Sequence, residues 1–202
     1  FCHNHGLLQV SDRPQWMTVA GGSREYVRRI VEGLPDARLN RPVRQVRRTA
    51  AGAVVGTDAG SEHFDDVVLA CHSDQSLSLL ADADAGERAV LGAVRYQPNV
   101  AVLHTDVNVL PRRPLATPVV VSLNPSRAID ERHVHGRFDY SHPVFDAAAL
   151  AAQQRLPALQ GKRNTWFCGA WTRYGFHEDG LMSGEAVAAA LGERLGLQRA
   201  AA

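Results

Sequence analysis

Apolar residues recur every three or four positions from Tyr26 to Leu34, directly after a Gly-Gly pair at 21–22. This spacing predicts one amphipathic helix, and Ser23 stands where it can cap the N-terminus. After Pro42 the pattern changes to the short segments VRQVRR, AVVGTD and EHF, which are separated by turn-forming residues. Short strand-like segments with turns between them predict a small antiparallel meander.

A continuous apolar run from Val67 to Cys71 follows the meander. The run is too short for a helix, so it predicts a buried strand of the parallel type, and Ser73 or Asp74 can cap the helix that comes next.

The rest of the chain alternates between helical and strand-like patterns. A charged helix is expected around 87–94, and NVAVLHT and PVVVSLN predict strands on either side of LPRRPLATP, which has no clear structure. VFDAAALAAQQRL predicts a helix, TWFCGA a short buried strand, and residues 183–195 a final helix. A meander combined with parallel-type strands and helices indicates the α/β or α+β class.

Composition and charge narrow the function classes. The 202 residues are 45% hydrophobic, which is enough for a globular core, and the net charge of +1 comes from 22 basic and 21 acidic residues. The only basic cluster lies at 41–48, which argues against a nucleic-acid surface. No apolar run reaches the roughly 20 residues of a membrane span. The three cysteines form no C-x-x-C, which favours a reducing compartment and a cytoplasmic location.

The segment between TWFCGA and the last helix, GFHEDGLMSG, is rich in glycine. A strand, a glycine-rich turn and a helix that opens near Gly180 would present free backbone amides and the positive end of a helix dipole. Such a terminus can bind an anion or a carbonyl oxygen. Tight packing of helix against sheet explains Gly180, Ser183 and Gly184 equally well, so both interpretations stay open.

The polar residues in this segment allow a catalytic and a structural interpretation. His177 or Glu178 can act as a general acid or base, or can cap the helix. A metal site is not expected, because adjacent residues in a turn point in different directions and no H-E-x-x-H follows. Asp179 needs only the helix dipole to explain it.

Several aromatic residues and histidines are further candidates. Trp171 and Tyr174 fit contact with a substrate or cofactor as well as plain core packing. His104, like Tyr96, can line a substrate cavity or simply belong to a half-buried strand. His72 follows a buried strand, where contact with a cofactor or core packing is expected rather than catalysis.

Two long stretches carry a resemblance to a known superfamily. WFCGAWTRYGFHEDGLMSGEAVAAAL resembles the C-terminal flavin-contacting segment of the FAD-dependent amine oxidases, protoporphyrinogen oxidases and phytoene desaturases. Residues 38–74 resemble the meander and return strand of the same superfamily, and WMTVAGGSREYVRRI matches the turn and helix upstream. Most of the chain is similar to a bacterial subgroup of amine-oxidase-like, NAD/FAD-binding proteins.

The resemblance implies an FAD cofactor and a role for individual residues. The main chain of Val43 would meet the adenine, and Gly169 and Ala170 would lie along the ribityl and pyrophosphate. The amides of Asp179, Gly180 and Leu181 would face the isoalloxazine edge, where negative charge develops on reduction. The other residues that we assign on this basis are Ser183 for the cofactor and Trp171, Tyr174 and His104 for the substrate.

The resemblance also implies a domain layout. It predicts an FAD/NAD(P)-binding-type fold with an inserted β-rich substrate domain, lacking its N-terminal Rossmann half, because no G-x-G-x-x-G occurs in the sequence. With Phe1 as first residue, we interpret the chain as a fragment. Residues 1–15 and 82–155 would belong to the substrate domain, and residues 16–81 and 156–202 to the FAD-binding domain.

The implied activity is hydride transfer from an organic, lipid-like small molecule to flavin. Family amine oxidases usually carry a lysine on the strand that corresponds to NVAVLHT, which has none here. The missing lysine favours a desaturase, a saturase or a double-bond isomerase. A non-catalytic fragment that cannot bind FAD alone is the competing hypothesis. The sequence does not indicate the oligomeric state.

Overall fold

The structure is a computed structural model that describes residues 17–109 and 119–197. The described residues fall into two compact units, 17–41 and 42–197. The predicted N-terminal substrate-domain segment at 1–15 and the LPRRPLATP connection lie outside the described residues.

The smaller unit contains helix α1 (Arg24–Glu32), as the apolar spacing predicts. None of its residues is buried. Ser23 occupies the predicted N-cap position, but its own backbone is already helical and its side chain makes no capping bond. Instead, Arg28 forms ion pairs with Glu25 and Glu32 along the exposed surface.

The larger unit alternates strands and helices. Its strands are β1 (Val43–Thr49), β2 (Gly52–Thr57), β3 (Gly60–Phe64), β4 (Val67–Leu69), β5 (Arg95–His104), β6 (Val120–Leu123), β7 (Val134–Val144) and β8 (Thr165–Phe167). Its helices are α2 (Ser73–Leu79), α3 (Ala85–Leu91), α4 (Ala147–Arg155) and α5 (His177–Arg194). The described part of the chain is therefore a mixed α/β fold.

Strands β1, β2 and β3 form the predicted antiparallel meander. The turn between β1 and β2 requires glycine at position 52, where φ is +142° and a Cβ would lie 2.2 Å from the Phe64 carbonyl oxygen. The meander is therefore confirmed, and position 52 at its first turn accepts no residue larger than glycine.

Strands β4 and β8 pair in parallel, which confirms the buried strand predicted at Val67. Their two faces contact different apolar layers. Leu69 and Phe167 pack into the main core with the meander and helices α2, α3 and α4, whereas Trp166 and Cys168 pack under Val187 of α5. Strand β8 is buried on both faces, in keeping with its apolar run, whereas β4 is covered on the face of Leu69 only and Val68 is 42% exposed.

The outer edge of β8 is closed by a side chain. Phe167 donates its amide to Gln160 Oε1 at 2.9 Å, and Gln160 Nε2 donates to the Phe167 carbonyl at 2.7 Å. The Gln160 amide group thus takes the place of a neighbouring strand and satisfies the backbone there.

The third sheet has the order β6-β5-β7, and all its pairs are antiparallel. It confirms the two predicted strands NVAVLHT and PVVVSLN, although β5 already begins at Arg95. The long strand β7 was not predicted. Most of its residues are exposed on both faces, so they show no apolar alternation.

A buried ion network joins the meander to α3. Arg48, whose side chain is 1% exposed, donates to both carboxylate oxygens of Glu87 at 2.6 and 2.8 Å and to Asp82 Oδ1 at 2.7 Å. Arg163 also contacts Asp82, from the segment before β8. Because one arginine connects β1 with two other segments, the network fixes where the meander lies against the helices.

Candidate functional site

The chain leaves β4 and β8 at the same edge of the sheet, because the two strands are parallel. The two exits are joined directly, since Trp171 Nε1 donates to the Cys71 carbonyl at 3.1 Å. Trp171 is only 3% exposed and belongs to the main core. Carboxyl ends of parallel strands are where α/β proteins bind ligands, so this edge is the candidate site.

The turn after β8 is held by a glycine. Gly169 has φ +140°, and a Cβ there would lie 2.9 Å from two atoms of the Trp171 ring. Its amide donates to Ser183 Oγ at 2.8 Å, and Ser183 Oγ also lies 2.8 Å from the Gly180 carbonyl. Both predicted cofactor residues, Gly169 and Ser183, are therefore at the site, but they bond to each other and lock the turn against α5.

Helix α5 begins at His177, ahead of the start predicted near Gly180. Its N-cap residue is Phe176, and Asp179 in the first turn, which is 6% exposed, accepts the amides of Phe176 at 3.0 Å and Tyr174 at 3.2 Å through Oδ2. A carboxylate in the first turn also interacts favourably with the helix dipole. The side chain of Asp179 thus organises the loop that enters the helix.

This earlier start corrects the expected set of free amides. The Gly180 amide donates to the Phe176 carbonyl at 3.1 Å, so it belongs to the helix and is not available to a ligand. Leu181 lies one residue deeper in α5, and its side chain is 58% exposed. The amides that precede the first intrahelical donor, Gly180, are those of His177, Glu178 and Asp179.

Gly180 has a different role at the site. A Cβ at this position would lie 3.7 Å from the Ala170 nitrogen and 3.9 Å from the Ala170 Cβ. These are ordinary van der Waals distances, so alanine would also fit there, and glycine leaves the space beside the Ala170 amide free of a side chain. Ala170 opens the 3-10 turn Ala170–Thr172, and its carbonyl accepts the Gly175 amide at 3.0 Å.

The predicted acid-base candidates His177 and Glu178 are both exposed in the first turn of α5. Tyr174, a predicted substrate residue, is 63% exposed just before them. The structure thus brings these three side chains to the same end of the helix as the Gly169 turn.

A stacked pair stands at the exit of β4. The rings of His72 and Tyr96 are 4.4 Å apart and nearly parallel, and the Tyr96 hydroxyl accepts the Ser73 amide at 2.9 Å. Burial raises the pKa of Tyr96. Ser73 and Asp74 do not cap α2 as predicted, because the N-cap position is His72. Sequence reasoning named His72 and Tyr96 separately but gave no sign that they stack.

Two predicted residues lie apart from this edge. His104 is fully buried, accepts the Asp106 amide at Nδ1 (3.2 Å) and bonds Ser122 Oγ through Nε2 (2.8 Å). It stands at the far end of β5, roughly 26 Å along the strand from Tyr96. Its bonds are those of a structural histidine, so the structure does not support the predicted substrate contact. Val43 begins β1 and is 37% exposed.

Residues 17–109 and 119–197 contain no group of three or more His, Cys, Asp or Glu side chains arranged to hold a metal ion. Within those same ranges, no helix combines the length and the apolar character needed to cross a bilayer.

Comparisons with known proteins identify the family of the chain. The sequence model of the family "Flavin containing amine oxidoreductase" matches residues 5–114. No curated protein sequence matches the chain significantly.

Two crystal structures share the fold. A fatty acid isomerase from P. acnes, described as producing CLA, superposes with a TM-score of 0.63 at 16% identity over 83% of this chain. A putative protoporphyrinogen oxidase from Exiguobacterium sp. 255-15 superposes with a TM-score of 0.65 at 13% identity over 96% of this chain. The chain spans only 52% and 57% of the lengths of these two proteins. Its family is shown by the match to more than half of its residues: the chain belongs to the flavin-containing amine oxidoreductases, and its cofactor is FAD.

Proposed function

We propose that the turn at 168–172 and the first turn of α5 bind the flavin end of FAD. The observation that carries this proposal is the convergence of three features at one sheet edge: the Gly169 turn, the side-chain-free space that Gly180 leaves beside the Ala170 amide and the N-terminus of an 18-residue helix. The donor set fits the cofactor, because backbone amides and a helix dipole stabilise an anionic, reduced flavin.

The helix start would offer the amides of His177, Glu178 and Asp179 to the cofactor, so the predicted Asp179 amide is kept and those of Gly180 and Leu181 are replaced. The main chain of Val43, at the start of the meander, would contact the adenine. We further propose that the remaining FAD contacts come from a dinucleotide-binding half outside these 202 residues, with 16–81 and 156–202 as the FAD-binding domain and 1–15 and 82–155 as the substrate domain. The chain spans 52% and 57% of the two neighbouring structures, which is in keeping with a further half in the complete protein.

The reaction that we propose is hydride transfer between a C–H or C–N bond of an apolar, lipid-like small molecule and FAD. Bound flavin supplies reversible hydride acceptance. The chain's own part would be to orient the cofactor through the Gly169 turn, to hold a proton at His177 or Glu178, and to exclude water with Trp171 and the His72–Tyr96 stack. We place this activity in the cytoplasm.

A double-bond isomerase is the second candidate. Strand β5 contains no lysine, and the only lysine of the chain, Lys162, lies between α4 and β8. An amine oxidase of this family would have a lysine on that strand, so its absence favours carbon–carbon chemistry. The fold-sharing protein from P. acnes is named a fatty acid isomerase, which is in keeping with this choice.

An anaerobic titration of the complete flavoprotein separates the candidates. For a desaturase or oxidase, addition of an unsaturated fatty acid or polyene will bleach the flavin absorbance. For an isomerase, the substrate will be converted with no net change in the redox state of the flavin. The proposed substrate class would be refuted if no apolar substrate bleached the flavin or was converted, and if amines reduced the flavin instead. The 202-residue chain alone, incubated with FAD, tests the competing hypothesis of a fragment that cannot hold the cofactor.

A further inference from the structure

A cavity of about 390 Å³ lies between α4 and α5, and we call it the α4–α5 cavity. One wall is the face of α5 on which residues recur at helical spacing, and the other is the end of α4 with the 3-10 turn Leu156–Ala158. Its volume is within the range of small-molecule sites. Trp166 and Phe167 of β8 form its floor, and the apolar residues of the two walls are Leu156, Pro157, Met182, Ala186, Val187 and Ala190.

The polar side chains of the wall are already satisfied by the backbone. Gln153 Nε2 donates to the carbonyls of Trp171 at 2.9 Å and Arg173 at 2.6 Å. Gln160 is fully used by Phe167, as described for the edge of β8. A ligand in the cavity therefore meets no polar group that it would leave unpaired, so an apolar tail fits it.

Arg173 also lines the cavity, but its hydrogen-bonding capacity is not filled by the protein. Its Nη1 faces the Met182 sulfur at 3.1 Å, and its Nε lies 3.6 Å from Asp179 Oδ1. A thioether is a weak acceptor, and Asp179 accepts two backbone amides through its other oxygen. Among the described residues the guanidinium has no further acceptor, although it carries five N–H donors and is 46% exposed. A positive group with spare donors beside apolar walls is complementary to an anionic head on an apolar tail.

We propose that the α4–α5 cavity binds a single-chain amphiphilic carboxylate, with its tail between the two helices and its carboxylate on Arg173. This site goes beyond the proposed redox function and does not depend on it. It lies behind the cofactor turn, since the lining residues Thr172 and Ser183 bond Gly169. Occupancy of the cavity therefore bears on the turn that we assign to FAD.

Calorimetric titration with sodium carboxylates of increasing chain length, each below its micelle concentration, tests the tail. Affinity is expected to rise about fourfold for each added methylene until the cavity is full, and then to level off. Ala190→Leu fills the cavity from α5 and is expected to weaken dodecanoate binding at least tenfold. Ala151→Leu, on the exposed side of α4, is the matched control and is expected to bind normally.

The head is tested by comparing dodecanoate with dodecanol. Wild type is expected to prefer the carboxylate about fivefold, a modest factor because Arg173 is half exposed. Arg173→Gln should remove this preference, and Arg47→Gln, an exposed arginine on β1, should keep it. Absence of saturable binding, or equal binding by wild type and Ala190→Leu, would overturn the proposal. Equal binding of acid and alcohol by wild type would overturn the assignment of Arg173. Circular dichroism of each variant checks that the fold is kept.

Discussion

The buried ion network gives a quantitative test of how the fold is held. Replacing Arg48 with methionine keeps the apolar volume but removes three bonds to the carboxylates of Glu87 and Asp82. The side chain of Glu87 is 4% exposed and would stay buried. Its remaining partners would be the Asp84 amide, which donates to Oε2, and Arg163, whose Nη1 lies 4.0 Å from Oε2. The variant thus leaves a buried charge without its main partner.

Breaking a buried ion pair from one side costs about 3–5 kcal/mol. Arg163 remains near the stranded carboxylate, so we expect the low end of this range, about 3 kcal/mol. For a domain of this size that corresponds to a fall in melting temperature of about 6–12 °C. The free energy of unfolding is measured by urea titration followed by circular dichroism.

A double variant separates the energetic effect of the ion pair from that of side-chain packing. Arg48→Met combined with Glu87→Leu removes both charges, and apolar replacements of buried pairs are often neutral. We expect the double variant to regain all but about 1 kcal/mol, since Glu87 also caps α3 through the Asp84 amide. Arg44→Met breaks an exposed pair with Asp58 and serves as control, with no measurable loss expected. If Arg48→Met were no worse than this control, or if the double variant were less stable than the single one, the reasoning would be refuted.

Three further predictions concern the site and its surroundings. Gly169→Ala forces a side chain into a positive-φ turn against Trp171, so we expect a loss of about 1–3 kcal/mol and an altered near-ultraviolet spectrum, and an unchanged spectrum would contradict this. Backbone amides lower the pKa of Asp106, so its stabilising contribution is complete above the ordinary carboxyl pKa of about 3.9 and is lost as the pH falls through the lowered value. Asp106→Asn should therefore flatten the acid side of the stability profile, and an identical profile would count against this. Burial raises the pKa of the Cys168 thiol, so peptide mass spectrometry should show slower alkylation there than in the unfolded chain, and equal rates would disprove it.

The elements that could be predicted are those with a strong local pattern. The meander has turn residues at each end of its strands, and β8 is apolar because both of its faces are covered. Strand β7 gave no such signal, since its residues are mostly exposed and only pairing with β5 makes it a strand. Its position depends on a partner, which the local pattern does not contain.

The sequence indicates the segment of the candidate site but not which backbone amides are free to donate there. The run HEDG was interpreted as a turn, whereas Asp179 reaches back to the Phe176 amide and extends the helix to His177. The N-cap residue is Phe176, which has no side-chain acceptor, so the sequence does not contain the usual capping-box signature of a helix start. The hydrogen bonds of His104 could not be predicted either, because Ser122 is brought to it only by pairing of β5 and β6.

FAD content of two glycine variants tests the central claim most directly. In Gly180→Val the added side chain would cover the Ala170 amide, whereas Gly192→Val, on the same helix, has nothing within 4 Å of its Cβ. We predict that the complete flavoprotein and Gly192→Val are purified with FAD, and that Gly180→Val is folded by circular dichroism but loses most of its flavin absorbance. A folded Gly180→Val that retains full FAD with an unchanged flavin spectrum would contradict the assignment of the Gly169 turn and the start of α5 as the cofactor site.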